Sequence, residues 1–287
     1  MNASPGNEGP AAAAGTLTLG GELEVRRMGF GAMRLTGKGV WGEPSDPEAA
    51  RALLRRAIEL GVNFIDTADA YGPEVSERLI AEALHPYPDD LVVATKGGLL
   101  RTGLGDWERD CRPEHLREAC EASLRRLRVE RIDLYQLHAV DPNVPLEESV
   151  GALAELRDEG KVRFVGVCNV DFDELHSALE IVPIASVQNR YSLRDRYSDP
   201  IVDVCEKREL AFIPWFPLGA GDAGDDDALR QVAKERGATP FQVALAWLLQ
   251  RSPAMLPIPG TSSVGHLEEN VAAAELRLTE DDLAELA

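Results

Sequence analysis

Three short runs of sequence decide the fold class of this chain: LVVATK (91–96), IDLYQLH (132–138) and RFVGVC (163–168). LVVAT and FVGV are continuously apolar, which is typical of parallel strands that are covered on both faces. The segments that separate the runs, 113–127 and 146–159, carry apolar residues at helical spacing. The pattern therefore predicts successive strand–helix units of a parallel α/β fold.

The same alternation extends outward in both directions until eight strand–helix pairs are counted. The predicted strands are 29–33, 63–69, 91–96, 132–138, 163–168, 186–189, 211–215 and 255–258. The predicted helices are 47–60, 75–84, 113–127, 146–159, 172–179, 200–209, 240–249 and 264–273. Eight such pairs in about 250 residues predict a (β/α)8 TIM barrel. A doubly wound open sheet is the alternative, but GFGAMR (29–34) does not complete the GxGxxG loop that its first turn would need.

Two features precede the barrel. Residues 16–19 and 22–25 are β-rich and are separated by Gly20-Gly21, which predicts a hairpin with a two-residue turn. Residues 1–15 are rich in Ala, Gly, Asn and Pro and have neither a basic region nor an apolar run of the signal-peptide kind. We therefore expect residues 1–15 to be a disordered tail and residues 16–287 to form a single barrel domain.

Composition narrows the classes of partner. Thirty basic and 49 acidic residues give a formal charge of −19, which disfavours nucleic acid and anionic membrane surfaces. No apolar run reaches the roughly 18 residues of a membrane span. The four cysteines form no CxxC pair and are too few for a disulfide framework, which favours a reducing, cytoplasmic compartment. We expect a monomer or a small homo-oligomer.

Polar residues stand where the predicted strands end, and such barrels carry their chemistry there. Asp66, Lys96 and His138 each have an ordinary alternative role, in capping, solvation or packing respectively. Their combination with Tyr71 suggests a specific chemistry. A tyrosine donates a proton near neutrality when a cation stabilises its phenolate, and Asp66 could keep Lys96 charged in a buried mouth. Histidine can orient a carbonyl oxygen, so together the four suit protonation of a developing alkoxide.

Several blocks, in this order, resemble the signature blocks of the aldo-keto reductase superfamily: FIDTADAYG (64–72), VVATKGG (92–98), DLYQLHAVD (133–141), FVGVCNV (164–170), VQNRYS (187–192) and IPGTSSVGHLEEN (258–270). The resemblance implies a barrel that reduces aldehydes or ketones with NADPH, NADH being possible. It assigns the catalytic tetrad to Asp66, Tyr71, Lys96 and His138, with Tyr71 as the proton donor. It requires no metal.

The resemblance also implies a set of residues that contact the cofactor. They are Gly31, Met33, Asp66, Cys168, Asn169, Gln188, Trp215, Phe216, Pro217, Leu218, Gly219, Ile258, Gly260, Thr261, Ser262, His266, Glu269 and Asn270. Three of these assignments have alternatives. Cys168 stands where the family commonly has Ser and is equally typical of a buried strand end. Trp215 could be a core residue, and the hydroxyls at 261–263 could simply cap a helix rather than bind phosphate.

The substrate pocket is predicted to contain Arg34, Trp41, Tyr71, Trp107 and His138, although both tryptophans could instead anchor loops. GFGAMRLTGKGVWGEP (29–44) and PWFPLGAG (214–221) are most similar to the bacterial pyridoxal reductases of the superfamily, which implies reduction of pyridoxal to pyridoxine. Another class of function remains open at this stage: a nicotinamide-nucleotide-binding sensor or auxiliary protein with little turnover. A metal-dependent hydrolase is disfavoured, because His138 is the only histidine at a strand end.

Overall fold

The structure is a computed structural model that describes residues 9–287, apart from the side chain of Ala220. Its central sheet has seven parallel strands within this range, and all of them fall within predicted strand regions or within two residues of them. They are β3 (Phe30–Gly31), β4 (Phe64–Asp66), β5 (Val92–Gly97), β8 (Ile132–Leu137), β9 (Val162–Cys168), β10 (Ile184–Gln188) and β11 (Ala211–Phe212). Each strand pairs with the next of these along the chain. The carboxyl ends of neighbouring strands therefore meet at one mouth.

Residues 255–258 do not form the predicted eighth strand, and this part of the prediction is wrong. Pro257 has no N–H to donate to a ladder, so pairing is reduced to a single bridge at Phe212. The segment still lies between the last strand and the first. Leu256 N donates to Phe212 O at 2.9 Å and Gly29 N donates to Pro257 O at 3.0 Å. These bonds close the cylinder, so the (β/α)8 architecture holds.

Helices surround the strands. Within the described residues they are α1 (Pro47–Glu59), α2 (Val75–Leu84), α3 (Pro113–Leu127), α4 (Leu146–Asp158), α5 (Phe172–Ile181), α6 (Asp199–Arg208), α7 (Asp227–Arg236), α8 (Pro240–Arg251), α9 (Val264–Ala272) and α10 (Glu280–Leu286). The prediction missed two of these helices. The start of α7 is fixed by Asp226, which accepts a hydrogen bond from Leu229 N, and the start of α10 by Thr279, which accepts one from Asp282 N. No helix within residues 9–287 has both the length and the apolar character needed to cross a bilayer.

The predicted hairpin covers the amino-terminal end of the barrel. β1 (Thr16–Leu19) pairs antiparallel with β2 (Leu23–Arg26), so the connection is three residues long, not the predicted two. Leu19 and Val25 are fully buried in a cluster with the inward-facing residues of the strands. The hairpin therefore closes the end of the cylinder that is remote from the mouth. Two further short strands, β6 (Leu99–Leu100) and β7 (Glu108–Arg109), form a second hairpin beside the mouth.

The prediction of a disordered tail over residues 1–15 is wrong for its last part. Residues Pro10–Ala14 form a 3-10 helix, and Ala11 N donates to Leu60 O at 3.1 Å. Ala11 and Ala14 are buried against the helical layer, and this apolar contact orders a segment whose composition alone favours disorder. Residues 1–8 lie outside the described residues.

Candidate active site

Asp66 and Lys96 form a buried ion pair at the carboxyl mouth of the barrel. Asp66 is the last residue of β4, and Lys96 lies near the end of the parallel neighbour β5. Lys96 Nζ lies 2.6 Å from Asp66 Oδ1 and donates to Thr67 O at 2.8 Å. Burial by itself favours the neutral amine, but the charge and hydrogen bond of Asp66, together with contributions from Tyr71 and Cys168, outweigh burial and raise the pKa of Lys96 above its usual value. Lys96 therefore remains an ammonium, as the sequence predicts.

Tyr71 follows β4 in a turn that brings its hydroxyl group to this ammonium. Tyr71 N donates to Ala68 O at 3.2 Å, and Lys96 Nζ donates to the Tyr71 hydroxyl at 3.4 Å. The charge of Lys96 and its hydrogen bond lower the pKa of this phenol. Burial of the hydroxyl has a larger effect than the charge of Lys96, and the pKa of Tyr71 is raised to about 12. Tyr71 therefore keeps its proton at neutral pH.

His138 directly follows β8 and faces Tyr71. The two rings are nearly perpendicular, with their centroids 5.7 Å apart. His138 Nδ1 is buried and has no hydrogen-bond partner within residues 9–287. Burial, with a contribution from the charge of Lys96, lowers the pKa of His138 well below its usual value. The imidazole is therefore neutral at physiological pH and can donate one N–H to a carbonyl oxygen.

Two glutamines hold the second carboxylate oxygen of Asp66. Gln188 Nε2 donates to Asp66 Oδ2 at 2.8 Å, and Gln136 Nε2 donates to the same oxygen at 3.3 Å. Ser186 Oγ donates to Gln136 Oε1 at 3.2 Å and so orients that amide. The sequence predicts Gln188 as a cofactor contact but misses Gln136. Strand alternation was the available signal, because Gln136 lies two residues before His138, a spacing that points both side chains to the same side.

Asn169 and Trp215 extend the mouth beyond His138. Asn169 Nδ2 donates to the His138 carbonyl oxygen at 2.9 Å, and Trp215 Nε1 donates to Asn169 Oδ1 at 2.9 Å. Asn169 has a φ of 57°, in the left-handed region that asparagine tolerates better than most residues. The indole ring is thereby fixed relative to the backbone of His138 by two successive hydrogen bonds.

A cavity of about 680 Å³ opens beside Tyr71 and His138, a size that suits a small organic ligand. Most of the residues predicted to contact cofactor or substrate line it. They are Gly31, Met33, Arg34, Asp66, Tyr71, Trp107, His138, Asn169, Gln188, Trp215, Phe216, Pro217, Leu218, Ile258 and Gly260. The sequence analysis missed the other lining residues, which are Val40, Leu99, Gly221 and Pro259.

Gly31 and Gly260 are required by a close approach of two backbone segments at this wall. A Cβ atom on Gly31 would lie 2.6 Å from Ile258 O, and one on Gly260 would lie 2.7 Å from Gly31 O. Real side chains do not tolerate such contacts, so both positions need glycine for packing. Arg34 lies next to this contact, with its Cγ 3.6 Å from the position of a Gly260 Cβ.

Several other predicted cofactor contacts do not line this cavity. They are Cys168, Gly219, Thr261, Ser262, His266, Glu269 and Asn270. Cys168 is 1% exposed, and its thiol lies 3.8 Å from Gln136 Oε1, which agrees with the buried strand-end alternative. Ser263 accepts a hydrogen bond from His266 N and so caps α9. Glu269 accepts a hydrogen bond from Thr239 Oγ1 at 2.5 Å.

Of the two predicted substrate-pocket tryptophans, Trp107 lines the cavity and Trp41 does not. The Trp107 ring meets Tyr71 edge-on, with centroids 6.5 Å apart. Trp41 instead pairs with Gly72 through a backbone bridge, so its position agrees with the loop-anchor alternative.

A closed parallel barrel with a buried lysine–aspartate pair, a tyrosine and a neutral histidine beside one cavity defines a class, the nicotinamide-dependent barrel oxidoreductases. This chain belongs to the aldo/keto reductase family, whose sequence model matches residues 27–287. It is an NADP-dependent oxidoreductase, and the general activity of the family is carbonyl reduction.

Individual relatives agree with this assignment. The chain is 44% identical over 277 residues to a pyridoxine 4-dehydrogenase of Escherichia coli, covering 94% of this chain and 96% of that protein. It is 49% identical to an uncharacterized oxidoreductase of Schizosaccharomyces pombe, covering 96% and 90% respectively. A glycerol dehydrogenase from Gluconobacter oxydans has a similar structure, with a TM-score of 0.87, 28% identity and coverage of 96% and 94%. An aldo/keto reductase from Klebsiella pneumoniae, solved with NADP and acetate, has a TM-score of 0.82 at 28% identity, covering 94% and 93%.

Proposed function

We propose that this protein reduces an aldehyde to an alcohol at the mouth of the barrel, with Tyr71 as the proton donor. The observation that carries the proposal is the buried contact between Lys96 Nζ, Asp66 Oδ1 and the Tyr71 hydroxyl, at 2.6 and 3.4 Å, beside a ligand-sized cavity. A permanent ammonium next to a protonated phenol is what proton delivery to an alkoxide requires.

The roles of the residues follow from their protonation states. The His138 imidazole is neutral and donates a hydrogen bond to the carbonyl oxygen, which fixes that oxygen near Tyr71. Tyr71 gives its proton to the same oxygen as negative charge develops on it. The resulting phenolate lies beside the Lys96 ammonium, which stabilises it, and Asp66 keeps that ammonium charged. Solvent later returns a proton to Tyr71.

The residues present fit a nicotinamide cofactor. Trp215 offers a flat apolar face at the cavity wall, where a nicotinamide ring could stack. Asn169 and Gln188 line the cavity on the His138 side and supply the amide groups proposed to bind the carboxamide. Gly31 and Gly260 bring bare backbone to the cavity wall, and Gly260 lies four residues before the start of α9, so the amino end of this helix could receive a phosphate. When bound, the nicotinamide supplies the hydride.

We propose NADPH as the preferred cofactor and pyridoxal as a substrate. The support for pyridoxal is the 44% identity to the pyridoxine 4-dehydrogenase of Escherichia coli. The apolar and aromatic lining, including Trp107, also suits a flat ring. We further propose a cytoplasmic location, which is supported by four cysteines that are all free and buried.

Replacement of Tyr71 by Phe tests the proton-donor role. The Tyr71→Phe variant keeps the ring that packs against His138 but has no proton to give. We expect kcat to fall by about 10²- to 10⁴-fold, the usual contribution of a general acid, while the Kd for NADPH stays unchanged. Turnover is followed by nicotinamide absorbance and binding by calorimetry. A wild-type protein that binds NADPH but shows no turnover would instead indicate a sensor or auxiliary protein.

The substrate is tested by steady-state kinetics with pyridoxal, benzaldehyde and 4-nitrobenzaldehyde. We expect pyridoxal to have the highest kcat/KM of the three. If the two generic aldehydes are reduced as efficiently, the pyridoxal assignment is abandoned and carbonyl reduction in general remains.

A further inference from the structure

Arg101 is a buried arginine beside the active site for which the mechanism above has no use. It follows β6 and is only 8% exposed. Its guanidinium donates to three backbone carbonyls: Nε to Asp106 O at 2.8 Å, Nη1 to Val40 O at 2.8 Å and Nη2 to Gly39 O at 3.1 Å. One acceptor belongs to the hairpin loop of Arg101 itself, and two belong to the loop that precedes α1. The side chain therefore joins two loops that are about 60 residues apart in sequence.

The same guanidinium also contacts two indole rings. Its central carbon lies 3.9 Å from the ring centroid of Trp107 and 5.6 Å from that of Trp41. A planar arginine stacks well on indole, with an attraction that lysine reproduces poorly. Trp107 in turn meets Tyr71 edge-on and lines the cavity. Arg101 therefore holds an aromatic wall against the proposed proton donor without touching the cavity itself.

The loop that precedes α1 has a strained backbone at Gly39 and Val40, the two residues whose carbonyls Arg101 binds. Val40 has a φ of 58° and Gly39 a φ of 72°, both in the left-handed region, which is highly unusual for a β-branched residue. Such a conformation persists only where the surroundings hold it. Arg101 binds both carbonyls, and Gly42 N donates to Gly72 O at 2.6 Å on the far side. The strained residue Val40 is thereby kept in the cavity wall.

We propose that Arg101 is a positioning residue that sets substrate specificity: it fixes Val40 and Trp107 as two walls of the substrate end of the cavity and so favours flat aromatic aldehydes. This inference rests on the proposed function. Arg101 takes no part in proton or hydride transfer, so its loss should act on recognition of an aromatic ring and leave the reacting groups in place.

The test compares Arg101→Met with Arg101→Lys and a matched control, Arg109→Met. Methionine keeps an apolar side chain but has no guanidinium group. Lysine keeps the positive charge but has no planar group that can stack on indole. Arg109 lies on β7 of the same hairpin and is exposed. For Arg101→Met we expect KM for benzaldehyde to rise at least 10-fold with kcat within 3-fold. KM for propanal should change by less than 3-fold, and the Kd for NADPH should be unchanged. Arg101→Lys should likewise raise KM for benzaldehyde but not for propanal. Arg109→Met should have the kinetic constants of the wild type.

A second readout does not depend on turnover. Acrylamide quenching of tryptophan fluorescence should increase in Arg101→Met and Arg101→Lys, because Trp41 and Trp107 lose the group stacked on them, and should not increase in Arg109→Met. Equal KM changes for benzaldehyde and propanal, or quenching like that of the wild type, would overturn the role of Arg101. A wild-type protein without aldehyde turnover would overturn the proposed function instead, and quenching would still decide whether Arg101 holds the tryptophans. If one Arg101 variant fails to fold, the other decides.

Discussion

Lys96 has no exposed surface, and three polar groups surround its ammonium: the carboxylate of Asp66, the carbonyl of Thr67 and the hydroxyl of Tyr71. Gln188 and Gln136 satisfy the carboxylate oxygen that Lys96 does not use. A buried pair of this kind is costly to desolvate, and removal of one partner leaves an uncompensated charge. Breaking the pair should therefore lower the free energy of unfolding by more than the intact pair contributes to it.

A double-mutant cycle tests this coupling. Lys96→Met and Asp66→Asn should each lower the free energy of unfolding by about 3 to 5 kcal/mol, because each single change leaves the other group buried without its partner. The double variant should lose less than the sum of the two. Urea unfolding followed by tryptophan fluorescence measures all four proteins. Strict additivity of the two losses would contradict the assigned coupling.

The carboxyl group of Asp69 should make the stability of the protein depend on pH. Its Oδ1 is buried without a hydrogen-bond partner within residues 9–287, and burial together with the charge of Glu77 raises its pKa to about 8. In the unfolded chain the pKa of this carboxyl is about 3.9. Between about pH 4 and 8 the folded protein thus holds a proton that the unfolded chain releases, so this group makes stability fall as pH rises through that window.

Asp69→Asn should remove this contribution, since the amide resembles the protonated acid. We expect Asp69→Asn to be more stable than the wild type by about 1 kcal/mol or more at pH 8 and to have little advantage at pH 4. Asp89→Asn, at an exposed position, is the control and should show no such trend. A difference between Asp69→Asn and the wild type that stays constant from pH 4 to 8 would refute the assignment.

At the scale of elements, the two ends of the barrel have separate tasks. The carboxyl ends of β4, β5 and β8 carry the reactive groups, whereas the hairpin β1–β2 fills the other end with Leu19 and Val25. Residues at the closed end should therefore contribute to stability, and residues at the mouth to activity.

Leu19→Ala tests this division. Loss of a fully buried leucine should cost about 2 to 5 kcal/mol of unfolding free energy, because a cavity remains in the packed end. Leu17→Ala, on the same strand at a partly exposed position, should cost clearly less. Both variants should keep the wild-type kcat/KM at a temperature at which they are folded. A loss of kcat/KM in folded Leu19→Ala would show that the two ends are coupled.

For the whole molecule, a ligand held between the mouth loops should stabilise the entire cylinder, because the cavity wall includes segments from the first strand region to Gly260. NADPH at 100 times its Kd should add about 2.7 kcal/mol to the stability of the folded protein. In a protein of this size that corresponds to a rise in Tm of about 4 to 5 °C.

We expect the increase in Tm with NADPH to exceed that with NADH at equal concentration, measured by scanning fluorimetry. Tyr71→Phe should retain the full increase, because it affects proton transfer and not cofactor binding. An equal or larger increase with NADH would overturn the proposed cofactor preference.

The amino-acid sequence by itself determined the class of fold and the set of polar residues at one mouth. Strand and helix periods are local patterns, and parallel connection forces the ends of successive strands to the same side. The positions of Asp66, Lys96 and His138 at strand ends follow from that rule, as does most of the lining of the cavity.

Only the tertiary structure decided the net rise in the pKa of Tyr71, the burial of Cys168 away from the cavity and the joining of two loops by Arg101. It also decided that residues 255–258 close the barrel without forming a ladder and that Ala11 and Ala14 are packed. These properties depend on burial and on contacts between residues far apart in the chain. A local sequence pattern contains information on neither burial nor long-range contacts, because both arise only when distant segments come together and exclude water from between them.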